Sequence, residues 1–371
     1  MNPEATFCPN SACSARGQVG QGNIRVHSLK ERRYRCMTCQ RTFSETSGTA
    51  LYRIKKPHQD FIRVVTLLGH GCPVQAIVAA FELNERTVAD WQQRAGEHCQ
   101  GVHEHMVGQS KLELGQVQAD EIKVKTQMGV VWMALAIMVS TRLWLGGAVS
   151  PKRDKRLLAV LVEQVVRIAL CRPIVWAVDG LQAYLGVIQR AFRSPLRLGT
   201  QGRPRLIEWP DIGIVRVIKR RAAGQLTVER QVYQGDPQQV ETVIRASQGG
   251  SGGINTAFIE RLNATFRQWL ACLARRSRAL ARTVSTLEQG MFLVGCLYNF
   301  CTPHDSLRLP LYVGRYGQRR WVQRTPAIAA GLTDHIWSVE ELLTFKVPLP
   351  LFVPPKRRGR PPKQQILEAA A

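Results

Sequence analysis

Residues 115–125 read GQVQADEIKVK. They are followed by VVWMALAIMV (130–139), RLWLGGAVS (142–150), RDKRLLAVLVEQVVRIAL (153–170) and PIVWAVD (173–179), and this succession decides the fold class. The first three segments alternate and are rich in β-branched residues, as strands lying against a core are. Apolar residues in 153–170 recur at helical spacing, so an amphipathic helix is predicted there. PIVWAVD is a short apolar run that ends in an acid, which reads as a strand buried on both faces. LQAYLGVIQRAF (181–192) is a further helix. The order strand–strand–strand–helix–strand–helix predicts an α/β domain with a mixed sheet.

Downstream, IGIVRVIKRR and LTVERQVY, within 195–250, predict a hairpin turning at Ala-Gly. The Gly/Ser stretch from Ser247 to Gly253 reads as a flexible linker. A long helical region is expected from Thr256 to about Phe300. Upstream, 57–100 is helical in pattern, with Pro57 and Pro73 placed to open helices.

The 371 residues carry 51 Lys+Arg against 27 Asp+Glu, a formal net charge of +24, and 45% are hydrophobic. That apolar share builds a core and excludes a wholly disordered basic chain. The charge implies an anionic partner, with nucleic acid ahead of an anionic membrane surface. No stretch approaches the ~18 consecutive apolar residues of a membrane span. No charged-then-apolar leader precedes the first cysteine, so a cytoplasmic, nucleoid-associated protein is expected.

Four of the ten cysteines cluster as Cys8-x4-Cys13 and Cys36-x2-Cys39. Two close pairs supply the four thiolates of a tetrahedral zinc site, and free thiols in a reducing compartment favour that reading. Four unrelated buried thiols are the plainer alternative. His27 is a competing ligand, although a lone loop histidine is more often solvated. Arg32, Arg33, Arg35 and Arg41 flank the second pair and suit phosphate contact, as a merely solvated basic run also would.

VQAIVAAFEL and NERTVADWQQRA are two helices separated by a short turn at Asn84, which is placed to cap the second. They read as a helix-turn-helix whose recognition helix presents Thr87, Gln93 and Arg94 beside Asp90, with Val88 and Trp91 inward. An ordinary helical hairpin has the same pattern.

In so basic a chain, acids at strand ends are informative. Asp120 lies in the first strand, Asp179 ends PIVWAVD, and Glu260 opens AFIERLNATFRQWL. Helical spacing puts Glu260, Asn263 and Arg267 on one side. Three carboxylates converging from two strands and a helix would hold the two divalent ions that phosphoryl transfer uses, Mg2+ or Mn2+. Neighbours on a strand point to opposite faces, so only one of Asp120 and Glu121 is expected at the metals. The structural alternatives are Asp179 as a helix cap and Glu260 as a solvated helix acid.

The element order is that of the ribonuclease-H-like fold, in which strands one and four are neighbours. RYRCMTCQRTFSETSGT (33–49), QADEIKV (118–124), VWAVDG (175–180), IERLNATFRQWLACLARRS (259–277) and YNFCTPHDSLR (298–308) together resemble bacterial insertion-sequence transposases of the DDE class. The closest likeness is to the group with N-terminal zinc-binding and helix-turn-helix modules, and it spans most of 8–310. The resemblance implies that Asp120, Asp179 and Glu260 are the metal-holding catalytic triad. It implies that Asn263 and Arg267 support the glutamate or the DNA backbone, and that Asp120 rather than Glu121 is the first acid. It further implies double-stranded DNA as partner, both the element's terminal inverted repeats and the target, and a homodimer or higher synaptic assembly. The Cys8-x4-Cys13 gap is wider than the usual two residues, and 195–250 exceeds a minimal core, so an insertion is expected there.

The tail carries Arg358-Gly359-Arg360-Pro361, which resembles an AT-hook seated in a narrow minor groove. The expected domains are a zinc module (1–50), a helix-turn-helix (51–110), a catalytic domain (111–310) and a C-terminal extension (311–371). Two other functions fit the residues less well. One is a domesticated, non-catalytic DNA-binding protein, which predicts a broken triad. The other is a structure-specific nuclease of the same fold, which predicts a preference for branched DNA.

Overall fold

The structure, a computed structural model, describes residues 1–196, 202–222, 225–274, 279–313 and 318–353. The chain divides into two compact units, one of Met1–Gly48 with the residues after Val347 and one of Thr49–Val347.

In the first unit β1 (Ile24–Ser28), β2 (Arg33–Cys36) and β3 (Thr42–Ser44) form an antiparallel sheet in that order. Tyr34 and Phe43 meet at 5.7 Å between ring centroids, and with Ile24 and Ala15 they surround the buried Cys8, Cys13 and Cys36. So small a core needs a cross-link or a metal to be stable.

The second unit opens with α1 (His58–Gly69), α2 (Val74–Phe81) and α3 (Glu85–His103). Pro57 and Pro73 precede the first two helices, and the Asn84 side chain accepts from the Arg86 backbone N–H at 2.9 Å to cap the third. β4 (Gly115–Thr126), β5 (Gly129–Met138), β6 (Trp144–Ser150), α4 (Lys155–Ile168), β7 (Ile174–Val178) and α5 (Ala183–Ala191) follow in the expected order. Next come a short hairpin, β8 (Arg193–Leu196) with β9 (Arg205–Glu208), and then β10 (Ile212–Ala222), β11 (Gln225–Gln234) and α6 (Pro237–Ser247). The rest comprises α7 (Ala257–Trp269), α8 (Val284–Cys296), a hairpin of β12 (Leu309–Val313) with β13 (Gln318–Val322), α9 (Pro326–Ala329) and α10 (Val339–Thr344).

Six strands make the main sheet, in the order β11-β10-β7-β4-β5-β6. β7 runs parallel to both β4 and β10, and the remaining pairs are antiparallel. β7 is apolar throughout because both its faces are covered. Ile174, Trp176 and Val178 enter the main core, while Val175 and Ala177 join Val215, Val240 and Ile244 beneath α6. The main core runs from Ala50 to Leu343, so 51–110 and 111–310, set apart above, share it. At Gly96 of α3 an added Cβ would lie 2.5 Å from the Gln289 carbonyl, which shows how closely α3 approaches α8.

Three expectations need correction. β10 is not part of an insertion, because it adds to β7 as a strand of the main sheet. The β10–β11 hairpin forms as expected, but its turn at 223–224 lies outside the described residues. The Gly/Ser stretch is not a free linker. α6 runs to Ser247, and the Gln248 side chain then donates to Gln116 Oε1 at 2.9 Å and to the Gly253 carbonyl at 3.2 Å. The long helix breaks after Trp269, where Leu270 is extended, and Thr283 caps a new helix. No helix among the described residues is long and apolar enough to cross a membrane.

Candidate functional site

β7 stops at Val178, and its register places Ala177 beside Gln118 of β4. Asp179 therefore emerges level with Asp120, where β4 continues without that neighbour. This is the carboxyl edge of two central parallel strands, the usual position of a site in an open α/β sheet. Carboxylate oxygens of Asp120, Glu121 and Asp179 all lie within 4.8 Å of one another. Strand alternation predicts only one of Asp120 and Glu121 at this place, whereas oxygens of both lie in the cluster. Beyond the end of β7 the space beside β4 is open, and acids from both faces of the strand reach it.

Glu121 is the most deeply buried of the three. Arg153, in the segment between β6 and α4, donates to its Oε2 from Nε at 3.0 Å and from Nη2 at 2.7 Å. The same Nη2 reaches Asp179 Oδ2 at 3.2 Å, and the guanidinium lies over the Trp132 ring. Asp179 also caps locally, because its Oδ1 accepts from the Leu181 N–H at 2.9 Å. Capping and site membership are therefore combined in one residue.

α7 supplies the opposite wall. Asn263, almost fully buried, donates to Asp120 Oδ2 at 2.9 Å. Glu260 lines the same cleft of about 540 Å³ as Asp120, Asp179 and Arg153, but its carboxylate stands outside the acidic cluster. Its Oε1 accepts from Lys219 Nζ on β10 at 2.5 Å and from Thr256 Oγ1 at 2.8 Å. Arg267, two turns further along α7, is half-buried and does not line the cleft.

The electrostatics follow from this arrangement. Burial pushes the Asp120 carboxyl up to about 6, and the neighbouring Glu121 and Asp179 charges add to the effect. Burial also raises Glu121, despite Arg153. Burial opposes ionisation of Glu260 as well, but the hydrogen bonds from Lys219 and Thr256 prevail and hold it below the usual range. The buried Tyr184 hydroxyl interacts with Glu121, and Asn263 Oδ1 is buried without a hydrogen-bond partner among the described residues. Three clustered carboxylates form the hard donor set that suits a divalent cation.

The four cysteines form the second candidate centre. Cys8 and Cys39 Sγ are 3.7 Å apart and Cys13 and Cys36 Sγ are 3.8 Å apart, and all four lie within 4.8 Å of one another. A tetrahedron with Zn–S of about 2.3 Å has edges of about 3.8 Å, so the thiols are spaced for zinc despite the wide first gap. His27 is exposed on β1 and stands apart from the cluster.

The remaining candidate residues are placed as follows. Arg35 and Arg41 are exposed, Arg32 pairs with Glu45 at 2.5 Å, and Arg33 donates to Thr42 Oγ1 at 2.8 Å. Arg25 faces Arg35 across β1–β2 and joins this basic face, though neither the cysteine spacing nor the flanking run pointed to it. On α3, Val88 and Trp91 enter the core as expected, Thr87 is half-buried, and exposed Gln93 donates to Glu97 at 2.8 Å. Arg94 donates to the Tyr52 carbonyl. Arg358, Gly359, Arg360 and Pro361 lie outside the described residues.

Sequence reasoning missed Arg153, Lys219 and the participation of Glu121. Arg153 and Lys219 are two among 51 basic residues, and no local pattern marks them. Glu121 is visible in the sequence, but alternation admits only one of the adjacent acids and the resemblance favours Asp120. No family model matches the chain, and no curated protein is significantly similar to it.

Proposed function

We propose that this chain is a DNA transposase of the DDE class, a metal-dependent polynucleotidyl transferase with a ribonuclease-H-like catalytic domain. The observation that carries the reading is the convergence of Asp120, Glu121 and Asp179 at the carboxyl edge of β4 and β7, faced by Asn263 and Glu260 of α7. The sheet order supports the fold assignment, because the first and fourth strands of the domain are central neighbours.

In this reading Asp120, Asp179 and Glu260 hold Mg2+ or Mn2+, with Glu121 as an additional oxygen donor. Bound divalent ions would supply Lewis-acid activation of the attacking oxygen and charge stabilisation of the leaving oxygen. Asn263 orients Asp120 through their hydrogen bond. Arg153 and Lys219 balance Glu121, Asp179 and Glu260 in the described state, and both cations line the cleft where a phosphodiester would lie. The cysteine unit would hold zinc and, with α2–α3, recognise the element's terminal repeats. A synaptic dimer or larger assembly would then bring two ends together.

The test uses the purified full chain and duplexes carrying the inverted repeats that flank its gene. Mg2+-dependent nicking at the repeat boundary and joining to target DNA are expected. Asp120→Asn and Asp179→Asn should abolish both while end binding survives. Near-normal cleavage by either variant would sink the assignment of the acids. Cleavage confined to branched DNA would move the reading to a structure-specific nuclease.

A further inference from the structure

A second pocket lies on the other side of α7, with a mostly apolar wall into which two arginines and a histidine are set. At 100° per residue, Glu260, Asn263 and Arg267 form one stripe, and Phe258, Arg261, Leu262, Thr265 and Trp269 form the opposite one. The second stripe lines a separate pocket of about 150 Å³, completed by Ile137, Arg142, Tyr298, Thr302 and His304.

The charges in this pocket are unbalanced. Arg142 and Arg261 both line it, and among the described residues no carboxylate does. The Arg142 guanidinium stacks 4.1 Å from the centre of the Phe258 ring, and its Nη1 is buried without a hydrogen-bond partner. A buried guanidinium N–H left unpaired is costly, so such groups normally meet an acceptor. Arg142 sits at φ +61°, a left-handed backbone that a bulky side chain seldom adopts without a compensating role. His304 accepts or donates at Nδ1 with Ser306 Oγ at 3.0 Å, and the nearest acid acting on it is Asp305, which does not line the pocket. Burial and both arginines hold His304 below its usual range. Burial lowers Arg142 too, and Arg261 adds to that. Tyr298 and two threonines line the rest, with the Thr265 and Thr302 hydroxyls donating to the Arg261 and Leu297 carbonyls at 3.2 and 3.0 Å.

We infer that this pocket binds a tetrahedral phosphate group, held by Arg142, Arg261 and His304, and that the phosphate belongs to a nucleic-acid strand passing around α7. The second half of the inference rests on the nucleic-acid reading above, whereas the first does not.

The experiment follows the His304 ring proton of the full chain by NMR, assigned with His304→Gln. It titrates first inorganic phosphate and then a short single-stranded oligonucleotide, without divalent metal. A bound phosphate favours the imidazolium, so both additions should move the His304 titration midpoint upward. Arg142→Gln and the exposed-site variant Arg261→Gln should each remove that movement. In parallel, each should reduce the salt slope of oligonucleotide binding by about 0.7, the loss of one single-strand phosphate contact. Asp120→Asn should leave the His304 response intact. No His304 response to inorganic phosphate, with unchanged salt slopes in both arginine variants, overturns the pocket. A response to inorganic phosphate alone overturns the strand assignment. No Mg2+-dependent cleavage by the parent chain, with its His304 response present, would fault the transposase reading and not the pocket.

Discussion

Asp120 concentrates the electrostatic problem of the site in one carboxyl group. Its folded value near 6 lies above the ordinary value of 3.8, so between those pH values the folded chain keeps a proton that the unfolded chain releases. The sign is therefore destabilising, and stability contributed through this group falls as pH rises from about 4 to about 6. Asp120→Asn removes the repulsion while keeping an oxygen for Asn263. The metal-free variant should melt higher than the parent at pH 7, by up to about 3 kcal/mol in stability, and the difference should vanish near pH 4. Thermal melts across that range decide it, and a variant less stable than the parent at pH 7 would refute the account. Because a cation competes with the same proton, Mn2+ affinity should fall about tenfold for each unit below pH 6, as calorimetric titration would report.

At the scale of elements, the cysteine unit and the central strands are held by different physics. Three strands of three to five residues cannot bury enough apolar surface to stand alone. Burial pushes the Cys8 and Cys13 thiols up, so without a cation they stay protonated and crowded. The unit should thus unfold when zinc is removed, while the Thr49–Val347 unit stays folded. Stoichiometric zinc by metal analysis, and loss of amide protection confined to Met1–Gly48 after chelation, are the expected results. Cys36→Ser should lose the zinc and show the same loss of amide protection without chelation. A chain without zinc whose N-terminal amides stay protected would show the cluster to be four packed thiols. The central strands need no such help, because β4 and β7 carry apolar residues toward cover on both sides.

Across the whole molecule, 24 surplus positive charges predict that the proposed binding to nucleic acid is electrolyte-dependent. With six phosphates neutralised, the logarithm of duplex affinity should fall against log salt with a slope of about −5. A flat response over 50–200 mM salt, read by fluorescence anisotropy, would contradict phosphate contact by the basic face of β1–β2 and the cleft. The sequence by itself determined the succession of strands and helices from 115 to 192, the pairing of the cysteines into one cluster, the Asn84 cap and the candidacy of Asp120 and Asp179. These are local properties, since periodicity states which face of a segment is apolar and a strand end states where an acid emerges. Only the tertiary structure decided that β10 joins β7, that α3 and α8 share a core with the sheet, and that Glu121 reaches the cluster while Glu260 is held by Lys219. It alone brought Arg142, Arg261 and His304 around one pocket. Periodicity does not specify the partner of a face, and the partner of a charge depends on where a neighbouring strand stops, here one residue before Asp179.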